Sequence, residues 1–221
     1  MDRKKLHLWT VRVLLLLGGL TVAHLGVTLF LQADMGSDPF NVMVQGLLRC
    51  IPWPDGWPVT HGRVHIGVSL LIILILLIVD RSYIRIGTVL CMVLGGPIID
   101  GFTFLLGGII HPQSPLVWRF LCLALGCVIL AFGMTVVIKS QAGTGPNDLV
   151  SVVISEKGHW KFGIVRIVVD VCFAAAGFLM GGTLGIGTVI CAFLVGPTAQ
   201  VFLPVSQRLC NRFLPKGPAE K

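Results

Sequence analysis

Six apolar stretches, each about 20 residues long, make up most of this chain, and that is the length an α-helix needs to cross the hydrocarbon core of a bilayer. They fall at 11–33, 63–80, 86–110, 117–139, 162–181 and 186–207. Within hydrocarbon, backbone polar groups must be satisfied inside the protein, so only helices or a closed barrel can span it. Runs that are continuously apolar, without polar alternation, select helices. Charged residues are only 12% of the 221 and mean hydropathy is +0.90, whereas soluble domains carry about 25% charge. The expected fold is all-α, a polytopic membrane helix bundle. The first stretch, Val11–Ala33, exceeds the roughly 7–15 residues of a signal-peptide core. No A-x-A-like cleavage site follows it, so it is expected to stay as the first span. The connecting segments are short, and no separate soluble catalytic domain is expected.

Lysine and arginine near span ends are retained on the cytoplasmic side. With the N-terminus inside, the cytoplasmic segments hold Arg3, Lys4, Lys5, Arg12, Arg81, Arg85, Lys139, Lys157, Lys161, Arg166, Arg208, Arg212, Lys216 and Lys221. Outside remain Arg49, Arg63 and Arg119, a ratio of fourteen to three. Both termini are therefore expected in the cytoplasm. The net charge of +7 is spread over several span edges, not gathered into a stripe on one face. That excludes nucleic acid as the expected partner and favours topology and anionic lipid headgroups.

The chain repeats itself. IGTVLCMVLGGP (86–97) recurs as IGTVICAFLVGP (186–197), with Ile86, Gly87, Thr88, Val89, Cys91, Leu94, Gly96 and Pro97 preserved at an offset of one hundred. Upstream the offset is 107, pairing Gly26 with Gly133, Thr28 with Thr135, Gly36 with Gly143 and Pro39 with Pro146. Residues 1–110 thus form a first three-span unit and 111–221 a second. An odd number of spans makes the second unit enter the membrane from the opposite face. Six spans are expected as two inverted repeats, the arrangement of many secondary transporters, whose sites sit near the midplane at discontinuous helices.

In each copy a Gly/Pro break follows the first span: MGSDPFN (35–41) after span one and AGTGPND (142–148) after span four. Proline suits the first turn of a helix, and glycine reaches backbone conformations closed to other residues. Each break should lead into a short helix, over 40–48 and 147–155. Two placements stay open: re-entrant, with helix ends able to hold an anion or dipole, or an interfacial turn.

Ionisable groups inside spans default to functional candidates. A substrate site is expected from Asp38, Asn41, Asp100, Asn147, Asp148 and Gln200, where Asp100 and Gln200 lie one turn beyond Pro97 and Pro197. His65, Arg166 and Asp170 are candidates for an ion or charge relay; Arg166 and Asp170 share a helix face at four residues' spacing. His24 reads as a structural histidine, and Trp53 and Trp57 as interfacial anchors. The seven cysteines lack C-x-x-C spacing and read as small apolar residues. No nucleophile elbow, zinc or Walker motif is present, so no enzyme activity, metal or cofactor is expected.

The MGSDPFNVMVQGL break and the IGTVLCMVLGGPIID element resemble the YczE/YyaS/YitT family of bacterial membrane proteins, over nearly the whole chain. The resemblance implies a bacterial source and a plasma-membrane location, and brings no catalytic residues. The leading expectation is a small-solute transporter working by alternating access between inverted repeats, coupled to a proton or cation, alone or as a homo-oligomer. The alternative is a non-transporting membrane subunit: a substrate-capture component of a larger transporter, or a scaffold for a biosynthetic assembly. A membrane enzyme comes third.

Overall fold

The computed structural model describes residues 3–54, 56–111 and 113–214. Lys216 and Lys221, counted above toward the cytoplasmic side, lie outside these. The described residues form eight α-helices and no strand: α1 (Arg3–Ala33), α2 (Pro39–Cys50), α3 (His61–Asp80), α4 (Ile86–Leu106), α5 (Leu116–Ser140), α6 (Pro146–Gly158), α7 (Phe162–Leu179) and α8 (Ile186–Phe213). A 3₁₀ turn, Arg81–Tyr83, joins α3 to α4.

Five of these helices, α1, α3, α4, α5 and α8, are long and apolar enough to cross a membrane. The sixth expected span, α7, is an 18-residue helix, about 27 Å long at 1.5 Å per residue. The outer surface is apolar where a membrane would lie: Ile78, Phe104 and Leu179 are each more than 80% exposed. The two short helices after the breaks start where the prolines place them, with Pro39 and Pro146 in their first turns. α4 and α8 continue through Pro97 and Pro197.

At the centre, α1 lies against α5 through four glycines. A Cβ on Gly26 would sit 2.6 Å from the Gly126 carbonyl oxygen, and one on Gly133 would sit 2.6 Å from that of Gly19. Small residues let helix backbones approach closely in lipid. Because Gly19 meets Gly133 while Gly26 meets Gly126, the two helices run in opposite directions.

The junctions at the two breaks come in matched pairs across the repeated sequence. Gly187 N–H donates to the Met35 carbonyl (2.7 Å), and Gly87 N–H donates to the Ala142 carbonyl (3.1 Å). Each break is thus held on the first turn of the other unit's last helix. Arg119 reaches the Ala33 and Asp34 carbonyls at the end of α1; its counterpart Arg12 reaches the Gln141 side chain at the end of α5. Asp34 and Gln141 both take the left-handed conformation, with φ of 48° and 59°, which turns the chain sharply out of each helix.

The α3–α4 junction has no match. α3 packs along α4, where Gly62 and Gly96 touch so closely that a Cβ on either would overlap the other's carbonyl oxygen. Asp100 clamps the same pair, accepting from Gly62 N–H at 2.9 Å and from the Thr60 hydroxyl at 2.5 Å. No comparable packing joins α7 to α8 among the described residues, and Gly196, the counterpart of Gly96, faces open space.

Candidate functional site: a cavity between the two breaks

Both breaks reach one cavity of about 620 Å³, within the range that holds small ligands. Its walls are mostly apolar: Leu20, Val27, Leu130 and Val137 from α1 and α5, with Ile167, Val171 and Phe193 from α7 and α8. The polar groups gather at the breaks. Asp38 and Asn41 come from the first, Asn147 and Asp148 from the second, with Arg166 and Asp170 from α7 and His24 and His65 from α1 and α3.

Asp38 stands at the N-terminus of α2. It accepts from Asn41 N–H at 3.3 Å and from the Asn41 side-chain amide at 2.8 Å, and Ser37 donates to it at 3.4 Å. An aspartate in this position satisfies helix-end donors that would otherwise be orphaned. None of these partners is charged. Asn41, 3% exposed, passes the contact outward, its carbonyl oxygen accepting from His61 Nε2 at 2.8 Å.

The second break is wired differently. Its counterpart to Asp38 is Gly145, which offers no side chain to cap α6. Its acid sits three residues later, where Asp148 accepts from Arg166 Nη1 at 2.6 Å. The same guanidinium donates through Nε to Asp170 at 3.0 Å, one turn along α7. Arg166 is therefore shared between two carboxylates, all three groups partly exposed to the cavity. Three carboxylates face one guanidinium in this lining.

His65 is 7% exposed and its Nδ1 has no hydrogen-bond partner. Its ring meets those of His24 and Phe40 edge-on, at centroid separations of 5.6 and 5.2 Å. His24 is tied through Nδ1–H to the Leu20 carbonyl.

A second cavity, about 680 Å³, lies on the side of the α3–α4 turn and is lined by Ser82, Tyr83, Arg85, Gln141, Glu156 and their neighbours. Met134, Asp148 and Arg166 line both cavities. The Arg166–Asp148 pair thus stands where the two meet.

Of the residues singled out from sequence, Asp38, Asn41, Asn147, Asp148, His65, Arg166 and Asp170 come together here. Asp100 and Gln200 do not line this cavity. Asp100 is engaged at the α3 N-terminus, and Gln200 is exposed on α8. Sequence reasoning missed His61, whose only signal was its place at the start of a span after a Pro/Trp loop. It also missed Phe40, which sits inside the break itself and packs on both His65 and Phe173. Among the described residues, no cluster of three or more metal-ligating side chains occurs.

Relatives with the same extent are found in bacteria. The uncharacterised membrane protein YczE of Bacillus subtilis (strain 168) is 29% identical over 195 residues, covering 87% of this chain and 86% of that protein. An uncharacterised protein of Haemophilus influenzae is 28% identical over 220 residues, covering 97% and 92%. The uncharacterised protein YyaS of Bacillus subtilis is 26% identical over 190 residues, covering 86% and 91%. No solved structure gives a significant match. A model of a family of unknown function, DUF6198, matches residues 10–204, and the chain, with its likeness to YczE and YyaS, belongs to that family.

Proposed function

We propose that this protein is a carrier that moves a small solute by alternating access between two inverted three-span repeats. The observation that carries the proposal is the pair of cavities that meet at a single ion pair, Arg166–Asp148. A solute held in the first cavity could pass to the second once that bridge opens, without unpacking the α1–α5 glycine core. The reciprocal docking of each break on the other unit's IGT turn favours inverted repeats related by a two-fold axis in the membrane plane. It also favours re-entrant breaks, since Gly36 lies against Gly185 and Thr188 while Asp38 reaches the cavity beside Cys191. In this reading α7 is the sixth span, both termini are cytoplasmic, and the second cavity faces the cytoplasm. The location is the bacterial plasma membrane, and the protein works as a carrier, not an enzyme.

The unmatched junction fits the same scheme. Alternation between inverted repeats requires the two units to differ in any one state, and here α3–α4 is closed while α7–α8 is open. The test is counterflow: purified protein alone in liposomes should accelerate exchange of a solute first found by thermal-shift screening. Exchange that starts only when further subunits are added would replace the carrier with a substrate-capture subunit.

A further inference from the structure

We infer that the ligand of the first cavity is an amphipathic amine, its ammonium held at the Asp38 end and its apolar body lying in the gap between α7 and α8. The inference rests on the carrier reading for its purpose but on separate observations for its content.

The charge of the site comes first. Arg166 is already committed to Asp148 and Asp170, which leaves that trio with one carboxylate in excess. Asp38 adds another, and its partners Ser37 and Asn41 are neutral. Carboxylates at membrane depth are costly unless paired, so a cation on the ligand supplies what the protein omits. His65, a side chain more than nine-tenths buried in the same lining, adds an Nδ1 that finds no hydrogen-bond partner in the fold. A simple inorganic cation would leave the apolar walls unused.

The shape of the site comes second. Ile167 and Val171 on α7, with Val189 and Phe193 on α8, line the cavity and are all more than half exposed. The cavity therefore opens between these two helices, at a surface that faces acyl chains. In the other unit the equivalent gap is filled by the Gly62–Gly96 contact and by the Asp100 clamp. At position 200 the chain carries glutamine, so the second unit lacks the acid that holds the first one shut. An apolar ligand body would occupy the space this leaves.

The probe is phenylbutylamine, measured by equilibrium dialysis against the purified full chain in detergent. Phenylbutanol and phenylbutyrate serve as the neutral and anionic counterparts, which also correct for partition into micelles. The amine should bind saturably and the anion should fail to displace it. Asp38→Asn keeps a good helix cap and removes the charge, so it should weaken amine binding at least tenfold while leaving phenylbutanol unaffected; Asp170→Asn should act in the same direction. Displacement of the amine by phenylbutyrate as readily as by phenylbutanol would overturn the inference. So would unchanged amine affinity in both variants. Amine binding with no counterflow would overturn the carrier and leave this ligand class standing; counterflow of anionic or neutral solutes with no amine binding would do the reverse.

Discussion

At the residue scale, the two copies of the break share a backbone and divide the chemistry. Gly36 and Gly143 take φ values of 108° and 145°, and a Cβ on Gly36 would lie 2.5 Å from the Thr188 hydroxyl. Gly36→Ala should therefore lower stability by about 1–3 kcal/mol through strain at a left-handed position, read as a loss of thermal midpoint in detergent. Gly101→Ala, an exposed helix site with no atom within 4 Å of the added Cβ, should instead raise it by about 0.5 kcal/mol. Equal losses in the two would show that the φ values and close approach have no energetic weight. Asp100→Asn should cost about 1–3 kcal/mol by weakening the clamp on Gly62 N–H and leave ligand affinity untouched; a lost ligand with unchanged stability would return Asp100 to the binding site. Asp38, Asn41, Asn147 and Asp148 were legible in the sequence because a break rich in Gly and Pro marks them. Asp100 misled because its partner lies 38 residues away. Proximity to a helical proline says nothing about which neighbour a carboxylate faces.

At the element scale, one pair of helices is locked and its counterpart is free. Gly96→Leu forces a bulky side chain into the α3–α4 contact and should destabilise the fold by about 1–3 kcal/mol or more. Gly196→Leu points into open space and should change stability by no more than about 0.5 kcal/mol. Denaturant titration of both variants in one detergent checks the contrast; matching losses would mean α7 and α8 are packed like α3 and α4. The helices themselves were readable from apolar length, and α2 and α6 from proline at their starts. The α1–α5 crossing was not, although the glycines that form it were visible. Repetition at an offset of 107 pairs Gly26 with Gly133, yet the antiparallel contact pairs Gly26 with Gly126. Alignment finds equivalent residues, and packing brings together different ones. The α7–α8 gap left a fainter trace, the exchange of Asp100 for Gln200.

At the scale of the whole molecule, the two units brace each other at every break, so neither is expected to fold alone. Arg12 and Arg119 each hold the end of the other unit's first helix. A chain cut between them and expressed as residues 1–110 should fail to give a monodisperse species, and co-expression with 111–221 should restore it; a monodisperse isolated half would contradict the interlock. α7 packs on α2 and α8 on α5, but the two do not pack on each other, and Arg166–Asp148 stands where the two cavities meet. Alternating access across that pair is the central claim. It is tested by a single cysteine at Met134, which lines both cavities, in a background where the seven native cysteines are replaced. In oriented vesicles a membrane-impermeant thiol reagent should label Met134→Cys when applied from either face, and added ligand should slow both reactions. Labelling confined to the cytoplasmic face, with and without ligand, would contradict it.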